Sequence, residues 1–252
     1  VNLITTLKRP VPLQHYVYAE NNLYLIKDND DNFFDNNYYE AVKASNLDQT
    51  IYNDYNGQHL LNNFIEFLRK KELMQTIFFI LSREGCEKYA SLITHTLIDS
   101  SDITEINHTF NHLFKNYEKT YGKLGQVTQV KNLLSKGIAF HHSGLIPILK
   151  EIIEILFQKG LVKILFATET FSSGINCPTR TVVFTSLTKP DDNGSKRYLL
   201  TPEYIQMAGR AGRRGKDIVG NCVILPLKEN LTDITDMQQI MLGKGLNIES
   251  KF

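Results

Sequence analysis

The sequence is poor in the features that mark disulfide-rich scaffolds and membrane proteins. Its 252 residues include only three cysteines, Cys86, Cys177 and Cys222, which lie far apart and are odd in number. This argues against a disulfide framework and favours a reducing, intracellular environment. No apolar run approaches the length of a bilayer-spanning helix, and no secretory leader pattern opens the chain. We therefore expect a soluble, intracellular protein with no membrane partner.

An excess of charge of one sign is also missing. The 28 Lys and Arg residues nearly balance the 27 Asp and Glu residues. Any contact with a nucleic acid must therefore come from the local placement of basic groups rather than from an overall positive field. The length suits one large α/β domain, or one domain with an extended arm. Because the first residue is Val1, we expect the sequence to be a segment of a longer protein.

Residues 1–57 differ in character from the rest of the chain. Pro10 and Pro12 exclude a helix near the start, and the apolar positions within 15–18 and 23–26 predict two short strands. The Asn- and Asp-rich stretch that follows offers little apolar surface, so we predict a solvated insertion there rather than a site. This divides the chain into an extended N-terminal arm of residues 1–57 and a domain of residues 58–252.

Residues 58–252 alternate between helix and strand signals. Such alternation predicts an α/β fold with an open, mostly parallel sheet flanked by helices. The predicted strands are TIFFILS, GIAFHH, VKILFAT, TRTVVFTS and GNCVILP. The predicted helices cover residues 59–74, start near 84, occupy much of 100–136, start near Pro147 and start near Thr201. Ligands collect at the carboxyl ends of parallel strands, which directs attention to residues 82–85, 141–145, 168–178 and 201–215.

The segment QMAGRAGRRG at residues 206–215 carries the strongest chemical signal. Read as a helix, it places three long polar side chains on one face: Gln206, Arg210 and Arg213. Gly209 and Gly212 each cost about 1 kcal/mol in a helix, which predicts a close backbone approach at this segment. Two guanidinium forks on one face can clamp the charge of a transferring γ-phosphoryl group. The alternative is a basic helix end capped by Gly215.

Hydroxyl groups follow the third predicted strand. Thr168 and Thr170 can donate to backbone phosphates, Gly174 allows close approach of a ligand, and Asn176 can reach a ribose hydroxyl. The alternative is that these hydroxyls cap the next turn of the chain.

Two further strand ends carry polar groups. His141 and His142 should point to opposite faces of their strand, and no other ligand has metal-site spacing, so we predict no metal site. The loop Ser143–Gly144 is predicted to present backbone N–H groups to a phosphate, although Ser143 could instead cap the following helix.

At the end of the first predicted strand of the domain, Ser82 and Arg83 open a helix in a phosphate-facing geometry. Cys86 beside them is expected to be a small buried residue rather than a nucleophile.

Taken together and in this order, the four segments resemble motifs IV, IVa, V and VI of superfamily 2 helicases. The nearest likeness is to the DExH RNA helicases that serve the RNA exosome, the nuclear helicase and its cytoplasmic superkiller counterpart. The resemblance covers the whole chain: RPVPLQHY resembles the start of the family's second RecA-like domain, and residues 141–184 follow the family closely. The chain departs from the family at Ser172–Ser173, where Ala-Met is usual, and at Cys177.

The resemblance implies a RecA-like fold and two sets of site residues. One set would address ATP in the cleft between two RecA-like domains: Gln206, Arg210, Arg213, Gly174 and Asn176. The other would line the RNA backbone: Ser82, Arg83, His142, Ser143, Gly144, Thr168 and Thr170. ATP and Mg²⁺ would be held mainly by an N-terminal RecA-like domain, because this sequence contains neither a G-x-x-x-x-G-K-[ST] cradle nor a DExH box. We therefore expect the segment alone to be inactive.

The resemblance also implies partners and leaves two rivals. RNA, the N-terminal RecA-like domain of the same protein, and exosome or adaptor subunits are the expected partners. One rival is a non-catalytic RNA- or protein-binding module with the same fold. The other is a DNA helicase of a related group, because the arginine segment is shared among those groups.

Overall fold

The computed structural model describes residues 9–51, 57–171, 177–191, 193–227 and 230–243. Seven strands form one sheet: β1 (Leu13–Ala19), β2 (Asn22–Lys27), β3 (Thr76–Phe79), β4 (Ile138–His141), β5 (Ile164–Ala167), β6 (Thr181–Phe184) and β9 (Gly220–Ile224). Their order is β2-β1-β9-β6-β3-β5-β4, and every neighbouring pair is parallel except β1 with β2. A separate antiparallel hairpin joins β7 (Thr188–Pro190) to β8 (Lys196–Tyr198).

Helices flank this sheet, so the predicted α/β architecture is confirmed. They are α1 (Asp35–Ile51), α2 (Gln58–Lys70), α3 (Arg83–Ser91), α4 (Ser100–Phe114), α5 (Glu118–Tyr121), α6 (Gly125–Leu134), α7 (Pro147–Gln158), α8 (Thr201–Ala208) and α9 (Ile234–Leu242). Among the described residues, no helix combines the length and apolar character that a membrane crossing requires.

The central strands are buried on both faces because helices cover both. Phe78 of β3 contacts Phe64 of α2, whereas the next residue, Phe79, contacts Phe184, which in turn contacts Tyr204 of α8. Successive side chains of a strand point to opposite faces, so α2 and α8 lie on opposite sides of the sheet. This double coverage explains why the five parallel strands of the domain are continuous apolar runs rather than alternating ones.

The N-terminal strands form as predicted, but they belong to the main sheet. β1 pairs in parallel with β9 from Leu13 to Val17, and β2 closes that side as an antiparallel edge. The Asn- and Asp-rich stretch is not a solvated insertion: α1 buries Tyr38, Ala41 and Ala44. The helical spacing of these few apolar residues is hidden in the sequence by the polar residues between them, which explains the error.

Two described elements were not predicted. In the β7–β8 hairpin, the Asp191 N–H donates to the Ser195 carbonyl and the Gly194 N–H donates to the Asp191 carbonyl, and the sequence DDNGS between the strands is typical of a turn. Helix α9 begins after Asp233, whose side chain accepts a hydrogen bond from the Thr235 backbone N–H, and ends at Gly243 in the left-handed conformation. Both elements are short, and short elements carry weak periodic signals.

Three buried histidines make the folded chain sensitive to acid. His15 lies under α8 with Nδ1 2.6 Å from the Tyr204 hydroxyl, and burial lowers its pKa to about 3. Burial also lowers the pKa of His141 and of His142. The unfolded chain takes up protons near pH 6.5 while folded His15 stays neutral, and the lowered pKa values of His141 and His142 act in the same direction, so stability that is present above that pH is lost below it.

We expect the free energy of unfolding to fall between pH 7 and pH 5, with His15 contributing up to about 1.4 kcal/mol per pH unit once the pH is below about 6 and the lowered pKa values of His141 and His142 acting in the same direction. Urea unfolding at both pH values measures this. His15→Gln removes the most strongly shifted of these imidazoles and should reduce the pH dependence. Equal stability at the two pH values would contradict the prediction.

Candidate nucleic-acid and nucleotide interfaces

Three parallel strands end side by side and bring the predicted RNA-contacting loops to one edge of the sheet. Phe79 of β3 and His141 of β4 both align with Ala167 of β5. The loops that follow these strands therefore lie next to one another. We use the name hydroxyl edge for six residues of these loops: Ser82, Arg83, Ser143, Gly144, Thr168 and Thr170. The topology thus confirms that these loops lie at the carboxyl ends of neighbouring strands.

The two histidines point to opposite faces, as predicted. His141 Nε2 lies 2.7 Å from Glu154 Oε1 on α7, whereas His142 Nε2 lies 3.0 Å from Glu87 Oε1 on α3. His142 Nδ1 accepts a hydrogen bond from the Gly144 N–H at 3.0 Å, which assigns the ring proton to Nε2. The imidazole is therefore a neutral support for the loop, and its pKa is lowered, mainly by burial.

The loop after β4 is held by a residue that sequence reasoning missed. Gln126, on α6, donates from Nε2 to the Gly144 carbonyl at 3.2 Å and accepts from the Ile146 N–H through Oε1 at 3.0 Å. A side chain added to Gly144 would approach the His142 ring at 3.0 Å, so the loop packs directly on the imidazole. A lone Gln at the start of a polar helix carries no sequence signal for this role.

This arrangement corrects the predicted use of the Gly144 N–H. The N–H groups of Gly144, Leu145 and Ile146 donate to His142 Nδ1, the His142 carbonyl and Gln126 respectively. They are therefore already occupied within the protein. The alternative is wrong as well, because the N-cap residue of α7 is Ile146, with no side-chain cap, and Pro147 follows it. Side chains, rather than these amides, are left to contact a phosphate.

The side chains at the hydroxyl edge suit that purpose. Ser82 caps α3, with its hydroxyl accepting from the Gly85 N–H at 3.0 Å, and Arg83 is exposed beside Gly144. Thr168 and Thr170 face each other with their hydroxyl oxygens 2.9 Å apart. The edge thus presents one guanidinium and several hydroxyl groups. Predicted residues Gly174 and Asn176 lie outside the described residues, as do Ser172 and Ser173.

The arginine segment, residues 206–215, lies at the opposite edge of the sheet from the hydroxyl edge, where the parallel strands begin. Helix α8 ends at Ala208, and the chain then forms a bridge in which the Thr179 N–H donates to the Arg210 carbonyl at 2.9 Å. Gly212 donates in turn to the Thr179 carbonyl at 2.7 Å. Thr179 precedes β6, so these contacts lie at the amino ends of the strands. The prediction of a helical face shared by Gln206, Arg210 and Arg213 is wrong, because only Gln206 is on the helix, where it is exposed.

Glycine allows the close packing of the turn that follows the helix. Gly212 has φ +89°, a left-handed value that other residues adopt at a cost, and an added Cβ would lie 2.5 Å from Val11 Cγ1 and 3.2 Å from the Gly220 Cα. The predicted close backbone approach is therefore confirmed at Gly212. The alternative helix cap at Gly215 is excluded, because the helix ends seven residues earlier, at Ala208.

Arg9 fixes this turn from the N-terminal side. Its Nη2 donates to the carbonyl oxygens of Gly209 and Ala211, both at 2.6 Å. Arg9 thus holds the backbone at the residues on either side of Arg210. The sequence showed only a basic residue before a proline, which gave no indication of a partner 200 residues away.

Arg213 is oriented by a buried carboxylate. Asp217 accepts hydrogen bonds from Arg213 Nε at 2.8 Å and Nη2 at 3.0 Å, and its other neighbour is Arg180 Nε at 3.2 Å. The Asp217 side chain is only 1% exposed, whereas those of Arg213 and Arg180 are 25% and 34% exposed. Hydrogen bonding to Arg213 lowers the pKa of Asp217 and raises that of Arg213. The fork is therefore rigid and always charged.

A cleft of about 320 Å³ opens beside this segment. Its lining includes Gln75, Gln158, Cys177, Lys159, Arg213, Arg214 and Lys216. Burial raises the pKa of the Cys177 thiol, while the charge of nearby Arg210 opposes that rise. Arg213 and Cys177 thus line the same cleft, and the charge of Arg210 acts on the same thiol, although the two arginines are not on one helix. We call Arg210 and the basic residues that line the cleft, Lys159, Arg213, Arg214 and Lys216, the arginine edge. Their positive charges suit an anionic phosphate.

An ion-pair network that the sequence did not indicate ties the β7–β8 hairpin to α8. Glu203 accepts from Arg197 at 2.7 and 2.8 Å and pairs with Lys189 at 2.7 Å, and Lys189 also reaches Glu169 at 3.0 Å. Hydrogen bonding to Arg197 lowers the pKa of Glu203 to about 2. Glu203 also accepts from the Leu200 N–H at the start of α8. The network anchors the helix whose end carries the arginine edge.

Comparison with known proteins agrees with this architecture. Residues 111–215 match the family model described as the helicase conserved C-terminal domain. The chain is 38% identical to the superkiller complex protein 2 of Homo sapiens over 272 aligned residues, with all of this chain and 22% of that protein covered. It is 37% identical over 264 residues to the mRNA transport homolog 4 of Caenorhabditis elegans, covering all of this chain and 25% of that protein.

A third relative is the ATP-dependent RNA helicase mtr4 of Schizosaccharomyces pombe, 35% identical over 273 residues, with 100% of this chain and 24% of that protein covered. The chain thus spans about a quarter of the length of these relatives.

Proposed function

We propose that the chain is the second RecA-like half of an ATP-dependent RNA helicase, because residues 111–215 match the helicase conserved C-terminal domain and the whole chain is 35% identical to part of an ATP-dependent RNA helicase. In this role the arginine edge faces ATP and the hydroxyl edge grips RNA. The ATP, with Mg²⁺, would be held mainly by an N-terminal RecA-like domain of the same protein. This segment would then be inactive without that domain.

One observation carries the proposal. The segment from Thr168 to Cys177 starts at the hydroxyl edge, where Thr168 follows β5, and returns at the arginine edge, where Cys177 lines the cleft beside Arg213. A single stretch of ten residues therefore has one end at each of the two edges. A change at one edge has a short covalent route to the other, which is what coupling of ATP hydrolysis to movement along RNA requires.

In this mechanism, one set of residues contacts ATP and another contacts RNA. Arg210 and Arg213 would neutralise charge on the γ-phosphate of ATP when the two domains close, with Gln206, Gly174 and Asn176 addressing the same cleft. Ser82, Arg83, Ser143, Thr168 and Thr170 would hold successive backbone phosphates of one RNA strand, with His142 supporting the loop at Gly144. Domain opening after hydrolysis would release that grip and let the protein step along the strand.

Nucleotide chemistry fits the arginine edge better than metal binding. The edge offers guanidinium and ammonium groups around a cleft, which match phosphate oxygens. Across the part of the chain that the structure describes, no group of three His, Cys, Asp or Glu side chains is placed to hold a metal ion. The residues present would therefore contact the phosphate and leave Mg²⁺ to carboxylates of the other domain.

Partners and location complete the proposal. The names of the relatives refer to a superkiller complex and to mRNA transport, so we propose that the whole protein works in RNA processing or decay with exosome or adaptor subunits. The three described thiols are free and buried, and an intracellular location is proposed from the cysteine pattern.

RNA binding by the hydroxyl edge tests the proposal. In the full-length protein, Arg83→Ala combined with Thr168→Val should weaken binding of a single-stranded oligouridine by about tenfold, because a charged and a neutral phosphate contact are both removed. Fluorescence anisotropy with labelled RNA gives the dissociation constant. Lys43→Ala, an exposed change on α1, is the matched control and should leave it unchanged.

Comparison of nucleic acids separates the rival functions. We expect RNA to stimulate ATP hydrolysis by the full-length protein more strongly than DNA of the same sequence. Stimulation by DNA alone would contradict the RNA role and favour a DNA helicase. Absence of ATP hydrolysis with either nucleic acid would favour the non-catalytic binding module.

A further inference from the structure

We propose that residues 115–124, which we call the Lys/Tyr connection, form a second contact surface for single-stranded RNA and extend the hydroxyl edge beyond β4. This inference rests on the proposed function and adds to it a binding site outside the four helicase segments. The Lys/Tyr connection comprises a short 3₁₀ turn (Lys115–Tyr117), α5 and the residues that lead into α6.

The topology puts the connection at the same edge of the sheet as the predicted RNA groove. Helix α4 starts beside the amino end of β4, where the Leu97 N–H donates to the Lys136 carbonyl and Lys163 pairs with Asp102. Helix α6 ends at that same end and leads directly into β4. The other ends of α4 and α6, which the connection joins, therefore lie at the carboxyl end of β4.

The residues that directly follow the connection contact the hydroxyl edge. Gln126, two residues beyond Leu124, holds both Gly144 and Ile146 in the loop after β4. Leu124 is itself 41% exposed, although it is apolar. A strand of RNA lying across Ser143 and Gly144 would therefore meet the connection next.

The connection presents stacked aromatic rings to solvent. Tyr117 is 41% exposed, and its ring is nearly parallel to that of Tyr121, with centroids 6.2 Å apart and an interplanar angle of 14°. Tyr121 packs partly against the core, and Tyr117 also contacts Phe114 at 6.5 Å between centroids. A supported ring with an open face is the feature on which proteins stack the bases of single-stranded nucleic acids.

The charge around these rings matches a phosphate backbone. Lys115, Lys119 and Lys123 recur every four residues along the connection, against the single acidic residue Glu118, and all are exposed. In the described ranges of the chain, none of the three ammonium groups forms an ion pair. Alternation of aromatic and basic residues favours an RNA occupant over an apolar protein surface, which would not neutralise three ammonium groups.

The test uses the full-length protein and two oligouridines, one of about 8 nucleotides, which the hydroxyl edge alone can occupy, and one of about 20, which can reach both surfaces. Tyr117→Ala with Tyr121→Ala should weaken binding of the long RNA about tenfold and leave the short RNA unaffected, because stacking on each ring is lost. Tyr117→Phe with Tyr121→Phe keeps both rings and should bind as the unaltered protein does. It also controls for the partial burial of Tyr121.

Salt dependence gives an independent measurement. Lys115→Gln, Lys119→Gln and Lys123→Gln together should reduce the slope of log affinity against log salt concentration by about 2 for the long RNA, since each contact with single-stranded nucleic acid contributes about 0.7. The slope for the short RNA should not change.

The outcomes separate this inference from the proposed function. If Arg83→Ala with Thr168→Val weakens both RNAs while the tyrosine and lysine variants bind like the unaltered protein, the second surface is overturned and the RNA groove stands. If the tyrosine and lysine variants weaken the long RNA while the Arg83 and Thr168 changes have no effect, the second surface stands and the hydroxyl edge is wrong. Failure of the unaltered protein to bind either RNA would overturn both.

Discussion

Replacing Arg210 by alanine in the full-length protein should lower RNA-stimulated ATP hydrolysis about a thousandfold while leaving RNA binding unchanged. Arg210 is half-buried beside Cys177, and its backbone is held by Thr179 on one side and by Arg9 on the other. Its backbone is thus fixed before ATP arrives, and we expect the guanidinium to stabilise the transferring phosphoryl group with little rearrangement of the chain. Steady-state ATPase assays with saturating RNA, together with anisotropy, measure the two effects separately.

Two further variants sharpen this experiment. Arg210→Lys keeps the charge but loses the planar fork, so we expect it to recover only part of the activity. Arg69→Ala removes an exposed arginine on α2, in a surface pair with Glu66, and should leave hydrolysis unchanged. Full ATPase activity in Arg210→Ala would remove the catalytic role of the arginine edge, and an equal loss of RNA binding would indicate a structural defect instead.

Replacing Asp217 by asparagine should destabilise the chain by about 2–3 kcal/mol, because it leaves Arg213 and Arg180 facing a buried amide that cannot neutralise them. The loss is expected below the largest values for buried pairs, since both arginines are partly exposed and can be hydrated. Urea unfolding of the chain measures the change. Hydrolysis by the full-length variant should fall as well, because the Arg213 fork loses the carboxylate that orients it.

Two controls for Asp217→Asn test the loss of a carboxylate charge and the pairing of Asp217 with Arg213. Glu151→Gln removes an exposed carboxylate on α7 and should change stability by less than about 0.5 kcal/mol. In a double-mutant cycle, Arg213→Gln should recover part of the stability lost in Asp217→Asn, since the pair interacts directly. Purely additive losses would show that Asp217 does not orient Arg213.

The sheet and much of the hydroxyl edge could be predicted from local sequence. Each of the seven strands is a short run that is either continuously apolar or flanked by turn residues, and each was found near its predicted place. The opposite directions of His141 and His142 follow from the alternation of side chains along any strand. Helix α1 escaped prediction because three or four apolar residues decide its packing, and the polar residues around them dominate the composition.

The conformation of the arginine edge could not be predicted from local sequence. The spacing of Gln206, Arg210 and Arg213 fits a helical face, but Gly212 lies against Val11 and Gly220, and Arg9 and Thr179 bond to the backbone on either side. These partners lie just before β1, just before β6 and at the start of β9, which are distant in sequence and become neighbours only when the sheet forms. Their combined hydrogen bonds and close packing outweigh the weak preference of a glycine-containing segment for helix.

The sequence by itself determined which residue types reach the two edges and the order of strands and helices along the chain, because hydrophobic periodicity and turn residues act locally. Only the tertiary structure decided that the hydroxyl groups and the arginines lie at opposite edges, that Asp217 orients Arg213 and that Gln126 holds the loop after β4. Each of these depends on which strands become neighbours, and the pairing of distant segments is set by the packing of the whole core.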